Sequence, residues 1–330
     1  MTGGKITCAS APAKVMLFGE HFVVYGSPAI LGAIDRRVRT TARRINTEEI
    51  NICSDIGFSA SYPSQAVKEP RLHYSEAQRF LYPLYAAVYD ILKEHLVERN
   101  MGVKVDISSD IPWGAGLGSS AASCVATVAA VGSLFDKPQK GWIYSRALRA
   151  ETIIHKNPSG ADCYISTFGG LVYYIKKRQN RKIRSKRDLS LVVMNTGIKH
   201  STKAQISLVK DFRIRHRLLF SSLSNHVTRI CNEAVSAIGL GDKRRLGDLM
   251  NENHSLLKEL GISNDEVNDL VKLCLDNGAL GAKLTGAGGG GSVIALVPDK
   301  YQADFITKMA KKKPSQCIPV RIGTVGLSIY

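Results

Sequence analysis

A short loop rich in glycine and serine could do the most specific chemistry in this sequence. Three glycines and two serines fall within seven residues, in the order Gly114, Ala115, Gly116, Leu117, Gly118, Ser119 and Ser120. Glycines let a backbone approach an anion with no Cβ in the way, and serine hydroxyls can bind phosphate or a magnesium ion. The composition therefore predicts a seat for a phosphate chain, with a serine-capped tight turn as the alternative.

The elements around this loop favour the phosphate seat. Residues 103–107 alternate between apolar and polar, which predicts a strand, and small apolar residues from Ala121 to about Phe135 predict a helix. A strand, a glycine loop and a helix start place unpaired N–H groups at the positive end of a helix dipole. Neither standard fingerprint fits, because no lysine follows Gly118 and the dinucleotide pattern needs its third glycine one place later.

The first apolar segment of the chain holds a cation and an acid–imidazole pair. Lys14 is followed by Glu20 and His21, close to strand-like residues such as Val15 and Leu17. Each of these polar side chains, taken singly, could be an ordinary surface residue. Their clustering among small residues leaves a surface location and a binding site as equally good interpretations.

Two carboxylates farther along the chain are further candidates. Asp162 follows a Pro-Ser-Gly turn, so it is either a turn residue or a catalytic base held on a rigid bend. Glu151 lies near the end of a helix predicted over about 142–155, where a surface acid is the alternative. A second glycine loop, 286–291, enters a predicted strand, and a turn that lets two domains pack closely is its simplest interpretation.

Composition sets the class of protein. The 330 residues suffice for two ordinary domains, and 44% hydrophobic residues, 22% charged residues and a mean hydropathy of -0.06 are typical of a soluble globular protein. No apolar run is long enough to cross a bilayer, and Lys14 and Glu20 interrupt the apolar first segment, which argues against a signal peptide. Seven scattered cysteines without a CxxC pair indicate reduced thiols. We expect a cytoplasmic protein with no membrane partner.

The formal net charge of +17 attracts anions, either nucleic acid or small phosphorylated compounds. The excess is densest in one basic run, which comprises Lys176, Lys177, Arg178, Arg181, Lys182, Arg184, Lys186 and Arg187. No aromatic residue lies in this run to stack on bases, so a solvated hairpin or connector is favoured over a binding patch. A nucleic-acid-binding protein is therefore an alternative of a different class, and we expect no nucleic-acid partner.

The rest of the chain mixes predicted strands and helices. The segment 5–45 is rich in strand-like residues, and long helical stretches occupy roughly 203–260 after a strand over 191–194. Ser263 and Glu266 have the spacing of a capping box at the start of a further helix. This pattern is compatible with an α+β protein and does not by itself select a fold.

Three motif-like segments span nearly the whole chain: Pro12-Ala13-Lys14 with Gly19-Glu20-His21, Pro112 with Gly116-Leu117-Gly118-Ser119-Ser120-Ala121-Ala122, and Lys283-Leu284-Thr285-Gly286-Ala287-Gly288-Gly289-Gly290-Gly291. Together, and in this order, they resemble the three motifs of the GHMP small-molecule kinases. Within that family the resemblance is closest to the members that phosphorylate mevalonate. It rests on Gly19 to Gly26 and on the segment with an eleven-residue step from Glu151 to Asp162.

The resemblance implies a fold class that the local pattern does not select. This is the α+β, two-domain GHMP kinase fold. An N-terminal nucleotide-binding domain, similar to ribosomal protein S5 domain 2, would occupy residues 1–187, and a C-terminal ferredoxin-like α+β domain would occupy residues 188–330. The active site would lie in the cleft between the two domains.

The resemblance also implies ATP-dependent transfer of a phosphoryl group to a hydroxyl. The backbone of Gly114 to Ser120 would hold the phosphates of ATP, and Ser120 and Glu151 would hold Mg2+. Asp162 would accept the proton of the attacking hydroxyl. Lys14 would contact the nucleotide, keep Asp162 ionised and offset charge on the transferred group.

Further positions match ligand contacts of the mevalonate-phosphorylating members. Glu20 would reach a hydroxyl of mevalonate and His21 its carboxylate, while Thr202 would contact the substrate as well. Ala287 would form part of the pocket wall. Ser109 matches a nucleotide-contacting position just before the first glycine loop, 114–120, which we call the phosphate loop. Mevalonate is therefore the expected small-molecule partner.

Two positions depart from the family pattern. His200 stands where many members have arginine, and Trp113 stands where a smaller residue or proline is usual.

The expected reaction is ATP-dependent phosphorylation of the 5-hydroxyl of mevalonate, the entry to isoprenoid synthesis. A sibling kinase that acts on phosphomevalonate or on another mevalonate hydroxyl is the alternative, and a homodimer is left open.

Overall fold

The computed structural model describes residues 5–64, 74–95, 101–112, 114–154, 158–176, 178, 180–198, 201–310 and 316–330. Trp113 and His200, the two departures from the family pattern, lie outside the described residues, as does Lys177 of the basic run. Within the described ranges the chain forms two β-sheets with helices packed against them.

Strands and helices are mixed along the whole chain. The strands are, in chain order, β1 (Ile6–Phe18), β2 (Ala29–Ile45), β3 (Glu49–Ser54), β4 (Ser59–Pro63), β5 (Gly102–Ser109), β6 (Leu171–Tyr174), β7 (Arg181–Ile183), β8 (Ser190–Asn195), β9 (Gly281–Thr285), β10 (Ser292–Val297), β11 (Gln316–Arg321) and β12 (Ser328–Ile329). The α-helices are α1 (Glu76–Glu94), α2 (Ser119–Gly132), α3 (Lys140–Ile154), α4 (Ala161–Phe168), α5 (Thr202–Arg215), α6 (Arg217–Leu240), α7 (Lys243–Glu259), α8 (Asp265–Asp276) and α9 (Lys300–Ala310). A short 3-10 helix, Phe22–Tyr25, follows β1.

The larger sheet positions the first motif of the sequence. Among the described residues it has eight strands, in the order β12-β1-β2-β5-β3-β4, with β6 paired to both β2 and β7. The long β1–β2 pair is antiparallel and runs from Ile6 opposite Arg43 to Phe18 opposite Ile30. Every residue of β1 from Ala9 onwards is buried, so both faces of the strand are covered and Lys14 lies in the interior.

Helix α2 fixes the position of the phosphate loop. It packs against β1 and β2 on one side, and α1, α3 and α4 also pack against it. Alanine, valine and cysteine dominate its sequence, and all its residues from Ala121 to Gly132 except Ser123 are buried. Such small side chains let one helix approach a sheet and three helices closely. The predicted helix is confirmed, with its start two residues earlier, at Ser119.

The smaller sheet belongs to the second half of the chain. Its strand order is β11-β8-β10-β9, and all its pairs are antiparallel. Helices α5 to α8 lie between β8 and β9, and α9 lies between β10 and β11. This is the β-α-β-β-α-β arrangement of ferredoxin-like folds, which confirms the predicted ferredoxin-like α+β region.

The two sheets are connected by more than the segment between β7 and β8. After β11 the chain returns to the larger sheet, where Ile322 forms a bridge with Ile34 and Ile329 pairs with Ala9. The predicted domain boundary after residue 187 falls between β7 and β8 and stays a prediction.

Two local predictions have different outcomes. The basic run forms the expected hairpin, because β7 pairs antiparallel with β6. The predicted cap of α8 is wrong: the side chain of Asn264 accepts a hydrogen bond from the Val267 N–H at 3.0 Å, whereas Ser263 Oγ donates to Asn268 Oδ1 at 2.9 Å. Serine and asparagine cap helices equally well, so spacing alone does not separate the two neighbours.

Candidate active site

The phosphate loop joins β5 to α2, as the sequence predicts. Gly114, Gly116 and Gly118 have left-handed φ angles of 73°, 68° and 77°, which residues with a Cβ adopt only with strain. Gly118 is the N-cap of α2 and has no side chain with which to cap the helix. The first N–H groups of α2 are therefore available to an anion at the positive end of the helix dipole.

This loop lines a large cleft of about 680 Å³. All seven residues from Gly114 to Ser120 contribute to the cleft wall. Apolar side chains of α1, including Phe80 and Leu84, form another part of the wall, and the second glycine loop contributes Gly286. The cleft thus combines a polar backbone region with an apolar region, which suits a ligand with a phosphate chain and a flat apolar group.

A small chamber of about 180 Å³ adjoins the large cleft. Its own lining includes Glu20, His21 and Ile206. Six residues line both cavities, namely Lys14, Glu151, Asp162, Thr202, Gly286 and Ala287. The two cavities therefore meet at the residues predicted to be catalytic.

Ser109 is the one predicted nucleotide contact that does not line the large cleft, among the residues that the structure describes. Its N–H donates to Asp55 Oδ2 at 2.8 Å, and its Oγ accepts a hydrogen bond from the Ile111 N–H at 3.1 Å. These bonds fix the chain where it leaves β5. A nucleotide contact by Ser109 stays a prediction.

Lys14 and Asp162, which lie far apart in the sequence, form an ion pair. Lys14 Nζ lies 3.3 Å from Asp162 Oδ1, and the exposed fractions of the two side chains are 5% and 34%. Lys14 is held in β1, and its N–H donates to Leu117 O of the phosphate loop at 2.9 Å. Asp162 lies in the first turn of α4, where the helix dipole favours a carboxylate. Lys14 and Asp162 thus place a buried ammonium and a partly exposed carboxylate in the walls of both cavities.

Ser120 and Glu151, the predicted magnesium ligands, are also brought together. Ser120 Oγ, at the start of α2, donates to Glu151 Oε1 on α3 at 2.7 Å. No group of three or more histidine, cysteine, aspartate or glutamate residues that could hold a metal ion exists in the described part of the chain. A metal at this point would therefore take most of its ligands from phosphate oxygens and water, which is the usual mode for magnesium.

Glu20 forms an ion pair that the sequence analysis missed. Its Oε1 accepts a hydrogen bond from Lys283 Nζ on β9, and both side chains are fully buried. Lys283 Nζ also donates to Leu284 O at 2.6 Å. Burial raises the pKa of Glu20, and the nearby Lys283 ammonium opposes this rise. The signal for this pair was a single lysine between Ala282 and Leu284 in an otherwise apolar strand.

His21 is held by the second glycine loop. Its φ of 60° is the only positive value outside glycine among the described residues, and its Nε2 lies 2.8 Å from Ala287 O. A carbonyl oxygen only accepts hydrogen bonds, so Nε2 carries a proton and Nδ1 is the ring atom left for another partner. Burial lowers the pKa of His21, so the imidazole is neutral at neutral pH.

Thr202 borders both cavities, and two further residues anchor the second glycine loop from outside the cavities. Thr202 is the first residue of α5, which Ser201 caps by accepting the Ala204 N–H at 3.2 Å. Thr285 Oγ1 accepts from Met16 N at 3.1 Å and donates to Met16 O at 3.0 Å, while Ser292 Oγ donates to Ala115 O of the phosphate loop at 2.6 Å. These bonds between the sheets were not predicted.

Profiles of known families match both halves of the chain. The profile of the GHMP kinases N terminal domain matches residues 83–170, and the profile described as GHMP kinases C terminal matches residues 229–316. The first match contains the phosphate loop and the Lys14 partner Asp162. The second contains the partner of Glu20, Lys283.

Relatives of known name align along most of the sequence. The chain is 38% identical to the mevalonate kinase of Thermococcus sibiricus in an alignment of 335 positions, gaps included, that covers 97% of each protein. It is also 38% identical to the mevalonate kinase of Pyrococcus furiosus over 304 residues, which cover 89% of this chain and 90% of the relative.

Solved structures give the same result. The Methanococcus jannaschii mevalonate kinase has a TM-score of 0.83 at 27% identity, covering 98% of this chain and 99% of that one. The L. major mevalonate kinase in complex with R-mevalonate has a TM-score of 0.79 at 29% identity, covering 99% and 97%. With both domain profiles matched in order and relatives aligned along nearly the full chain, this protein belongs to the GHMP kinase family.

Proposed function

We propose that this protein transfers the γ-phosphoryl group of ATP to the 5-hydroxyl of mevalonate, giving 5-phosphomevalonate for isoprenoid biosynthesis. The aligned relatives are mevalonate kinases, and one similar structure is a complex with R-mevalonate. The observation that carries the proposal is that a large and a small cavity meet at Lys14 and Asp162. Transfer between two bound molecules needs this arrangement, in which the acceptor hydroxyl faces the terminal phosphate.

The large cleft is the proposed ATP site. Backbone N–H groups from Gly114 to Ser120 would bind the phosphate chain at the start of α2, and the apolar residues of α1 would contact the base. Lys14 borders the same cleft and would contact the terminal phosphate. Ser109 would support the nucleotide from the end of β5.

Ser120 and Glu151 are the proposed protein ligands of Mg2+. Their oxygen atoms are of the kind that magnesium prefers, and the 2.7 Å hydrogen bond between them places a hydroxyl and a carboxylate at one point of the cleft wall. When bound, the ion supplies positive charge to the phosphate oxygens of ATP.

Asp162 is the proposed proton acceptor. As the 5-oxygen of mevalonate bonds to the γ-phosphorus, the bond from that phosphorus to ADP breaks, and the hydroxyl proton passes to the Asp162 carboxylate. Because this transition state is largely dissociative, Asp162 contributes by orienting the hydroxyl as well as by its basicity. Lys14, 3.3 Å from Asp162, would offset negative charge on the transferred group.

The small chamber is the proposed mevalonate site. Glu20, His21, Thr202 and Ala287 all line it, and its volume of about 180 Å³ suits a small organic acid better than a polymer. His21 would offer its Nδ1 atom, because Nε2 is occupied by Ala287 O. A neutral His21 would bind mevalonate by hydrogen bonding and without a full positive charge.

We extend the proposal to the setting of the enzyme. We expect a cytoplasmic protein that uses Mg2+ and has no nucleic-acid partner, and a homodimer is the assembly to be tested by light scattering. No helix in the described ranges is long and apolar enough to span a membrane.

A coupled ADP-release assay with mevalonate, phosphomevalonate, homoserine and galactose tests the proposal. We expect fast turnover with mevalonate only. Faster turnover of phosphomevalonate would assign the chain to a sibling kinase, and salt-sensitive nucleic-acid binding without ADP release would favour the other class of function.

Two variants assign the roles within this reaction. Asp162→Asn should reduce kcat by about 100- to 10,000-fold while calorimetric binding of an ATP analogue stays nearly unchanged. Ser120→Ala should weaken the use of Mg-ATP more than the affinity for mevalonate. Near-normal kcat in the first variant, or the opposite pattern in the second, would remove the corresponding role.

A further inference from the structure

The buried pair of Glu20 and Lys283 is an unusual feature of this molecule. An ammonium and a carboxylate without any exposed surface lose their hydration, which is costly unless their geometry and further hydrogen bonds compensate. The two residues link the two sheets, since Glu20 lies two positions after the end of β1 and Lys283 lies on β9. Nearby contacts between the same strands, such as Thr285 with Met16, use neutral groups instead. A charged pair at this point is therefore not needed merely to join the sheets.

The two oxygen atoms of the Glu20 carboxylate have different surroundings. Oε1 accepts the hydrogen bond from Lys283 Nζ, whereas Oε2 is buried and has no hydrogen-bond partner within the described part of the protein. Glu20 also lines the small chamber. A buried carboxylate oxygen normally has a partner, so an unpaired one beside a chamber indicates that a ligand supplies the missing donor.

Mevalonate carries a tertiary hydroxyl besides the 5-hydroxyl that faces Asp162 in the proposed reaction. The geometry points to Lys283 as a positioning residue, which holds Glu20 by Oε1 so that Oε2 accepts a hydrogen bond from this tertiary hydroxyl. The inference rests on the proposed function and adds a residue of the C-terminal sheet to substrate selection. Lys283 itself acts only through Glu20, because the structure gives its Nζ atom the partners Glu20 Oε1 and Leu284 O.

The physical consequence is selectivity for a hydroxyl. A buried site that hydrogen-bonds a substrate hydroxyl rejects an analogue without it, because the acceptor then stays unpaired. Without Lys283 nothing holds Oε1, so the Glu20 side chain is free to turn and Oε2 no longer faces the hydroxyl in a fixed position. Burial raises the pKa of Glu20, and the loss of the Lys283 ammonium removes a charge that opposes this rise. Lys283→Met should therefore weaken the preference for the hydroxyl and leave ATP binding unchanged.

The test compares mevalonate with 5-hydroxy-3-methylpentanoate, the analogue that lacks the tertiary hydroxyl. For the wild-type protein we expect kcat/KM to favour mevalonate by about 100-fold, the value of a charge-assisted hydrogen bond. Glu20→Gln and Lys283→Met should each reduce this ratio to below about 10-fold, with an unchanged KM for ATP. The double variant should be no less selective than Glu20→Gln alone, since both changes act through one carboxylate.

Thr285→Val is the matched control. Thr285 lies on β9 two positions after Lys283 and binds Met16 of β1, so its loss also weakens the contact between the sheets. This variant should lose stability and keep the wild-type preference for mevalonate. The comparison separates selection of the hydroxyl from general support of the interface.

Each outcome decides between the alternatives. Retained selectivity in Lys283→Met, or additive losses in the double variant, would overturn the inference. If Lys283→Met does not fold, Lys283→Gln takes its place, because it keeps a hydrogen-bond donor and removes the charge that holds Glu20 Oε1; retained selectivity in that variant would also overturn the inference. Absence of mevalonate turnover in the wild-type protein would overturn the proposed function and this inference with it, whereas normal turnover without selectivity for the hydroxyl would overturn only the inference.

Discussion

The two glycine loops have similar compositions and use their glycines for different reasons. In the phosphate loop, a Cβ added at Gly114 or Gly116 would meet nothing within 4 Å. In the second loop, a Cβ at Gly288 would lie 2.3 Å from Ile262 O, and one at Gly289 would lie 2.2 Å from Gln205 Nε2. The first loop borders open space that a ligand can fill, and the second is packed against its own chain.

The difference shows that glycine content alone does not identify a binding loop. The backbone of the phosphate loop faces open space, where its N–H groups can bind an anion. The glycines of the second loop let neighbouring parts of the chain approach its backbone closely. Ala287 of this loop also contacts His21. The two loops are also linked, because Ser292, which directly follows the second loop, donates a hydrogen bond to Ala115 O of the phosphate loop.

Among the glycine substitutions, Gly118→Ala should have the largest effect on activity. Gly118 has a φ of 77°, and an added Cβ would lie 2.9 Å from Lys14 Cγ and 3.7 Å from Asp162 Oδ2. Displacement of Lys14 should reduce kcat/KM for both substrates by about 1000-fold in steady-state assays. Gly141→Ala is the control, because a Cβ there meets nothing within 4 Å. It should keep full activity; an equal loss in both variants would contradict the role of Gly118.

Gly288→Ala should destabilise the protein more than it reduces the rate. Its φ of 80° is unfavourable for alanine, and the added Cβ would overlap the backbone oxygen of Ile262. Strain and overpacking together should lower the free energy of unfolding by about 3 kcal/mol, measured by urea denaturation. If this variant kept its stability and lost only ATP affinity, the second loop would be a ligand-binding loop like the first.

Acid should destabilise the protein through a buried histidine that contacts β9, next to the second loop. His254 on α7 faces the Leu284 N–H at 3.5 Å and Asn268 Oδ1 at 3.2 Å, and burial lowers its pKa to about 4. In the unfolded chain this histidine takes up a proton near its ordinary pKa of about 6.5. Between pH 6.5 and pH 4 the unfolded chain therefore binds more protons than the folded protein. The contribution of His254 to stability should therefore be lost as the pH drops below about 6.5, and this loss should level off below about 4.

At pH 5 the contribution of His254 to this loss is about 2 kcal/mol. Urea denaturation at pH 7.5 and pH 5 measures it in the wild-type protein and in His254→Gln, which keeps an amide for hydrogen bonding and cannot be protonated. The variant should lose about 2 kcal/mol less than the wild type between the two pH values. An equal loss would show that other groups cause the acid sensitivity.

Gly116→Ala should have the smallest effect. Its φ of 68° makes alanine unfavourable by about 1 kcal/mol, but the added Cβ meets no atom of the protein within 4 Å. We expect a modest loss of stability and a several-fold increase in KM for ATP, because the Cβ would enter the space where we propose that phosphate binds. An unchanged KM for ATP together with a large loss of stability would mean that Gly116 is needed for packing, as Gly288 is, and would contradict the distinction between the two loops.

Short-range patterns predict the local elements of the site. The alternation in β5, the glycine loop and the start of α2 depend on neighbouring residues, so the sequence reveals them. The pairing of Lys14 with Asp162 joins a strand and a helix that are distant in the chain. Spacing carries no information about such a pair, and only the family resemblance pointed to it.

The partners of Lys283 and Ser292 could not be predicted for a related reason. A lysine inside an apolar strand indicates a buried charge, but its partner depends on how two sheets pack against each other. The same holds for the hydrogen bond from Ser292 to Ala115 O. In the case of α8, two neighbouring residues had nearly equal capping ability, and the path of the chain selected Asn264.

The pairing of β12 with β1 has a consequence for biosynthesis. Tyr330 OH lies 3.3 Å from Ser10 Oγ, 320 positions away in the sequence, and β12 contributes only 2 residues to the larger sheet. While the ribosome is still translating the second half of the chain, β1 would expose unpaired N–H and C=O groups along this border. Exposed strand edges attract other chains, so this border of β1 stays open to pairing until residues 328–330 have been translated.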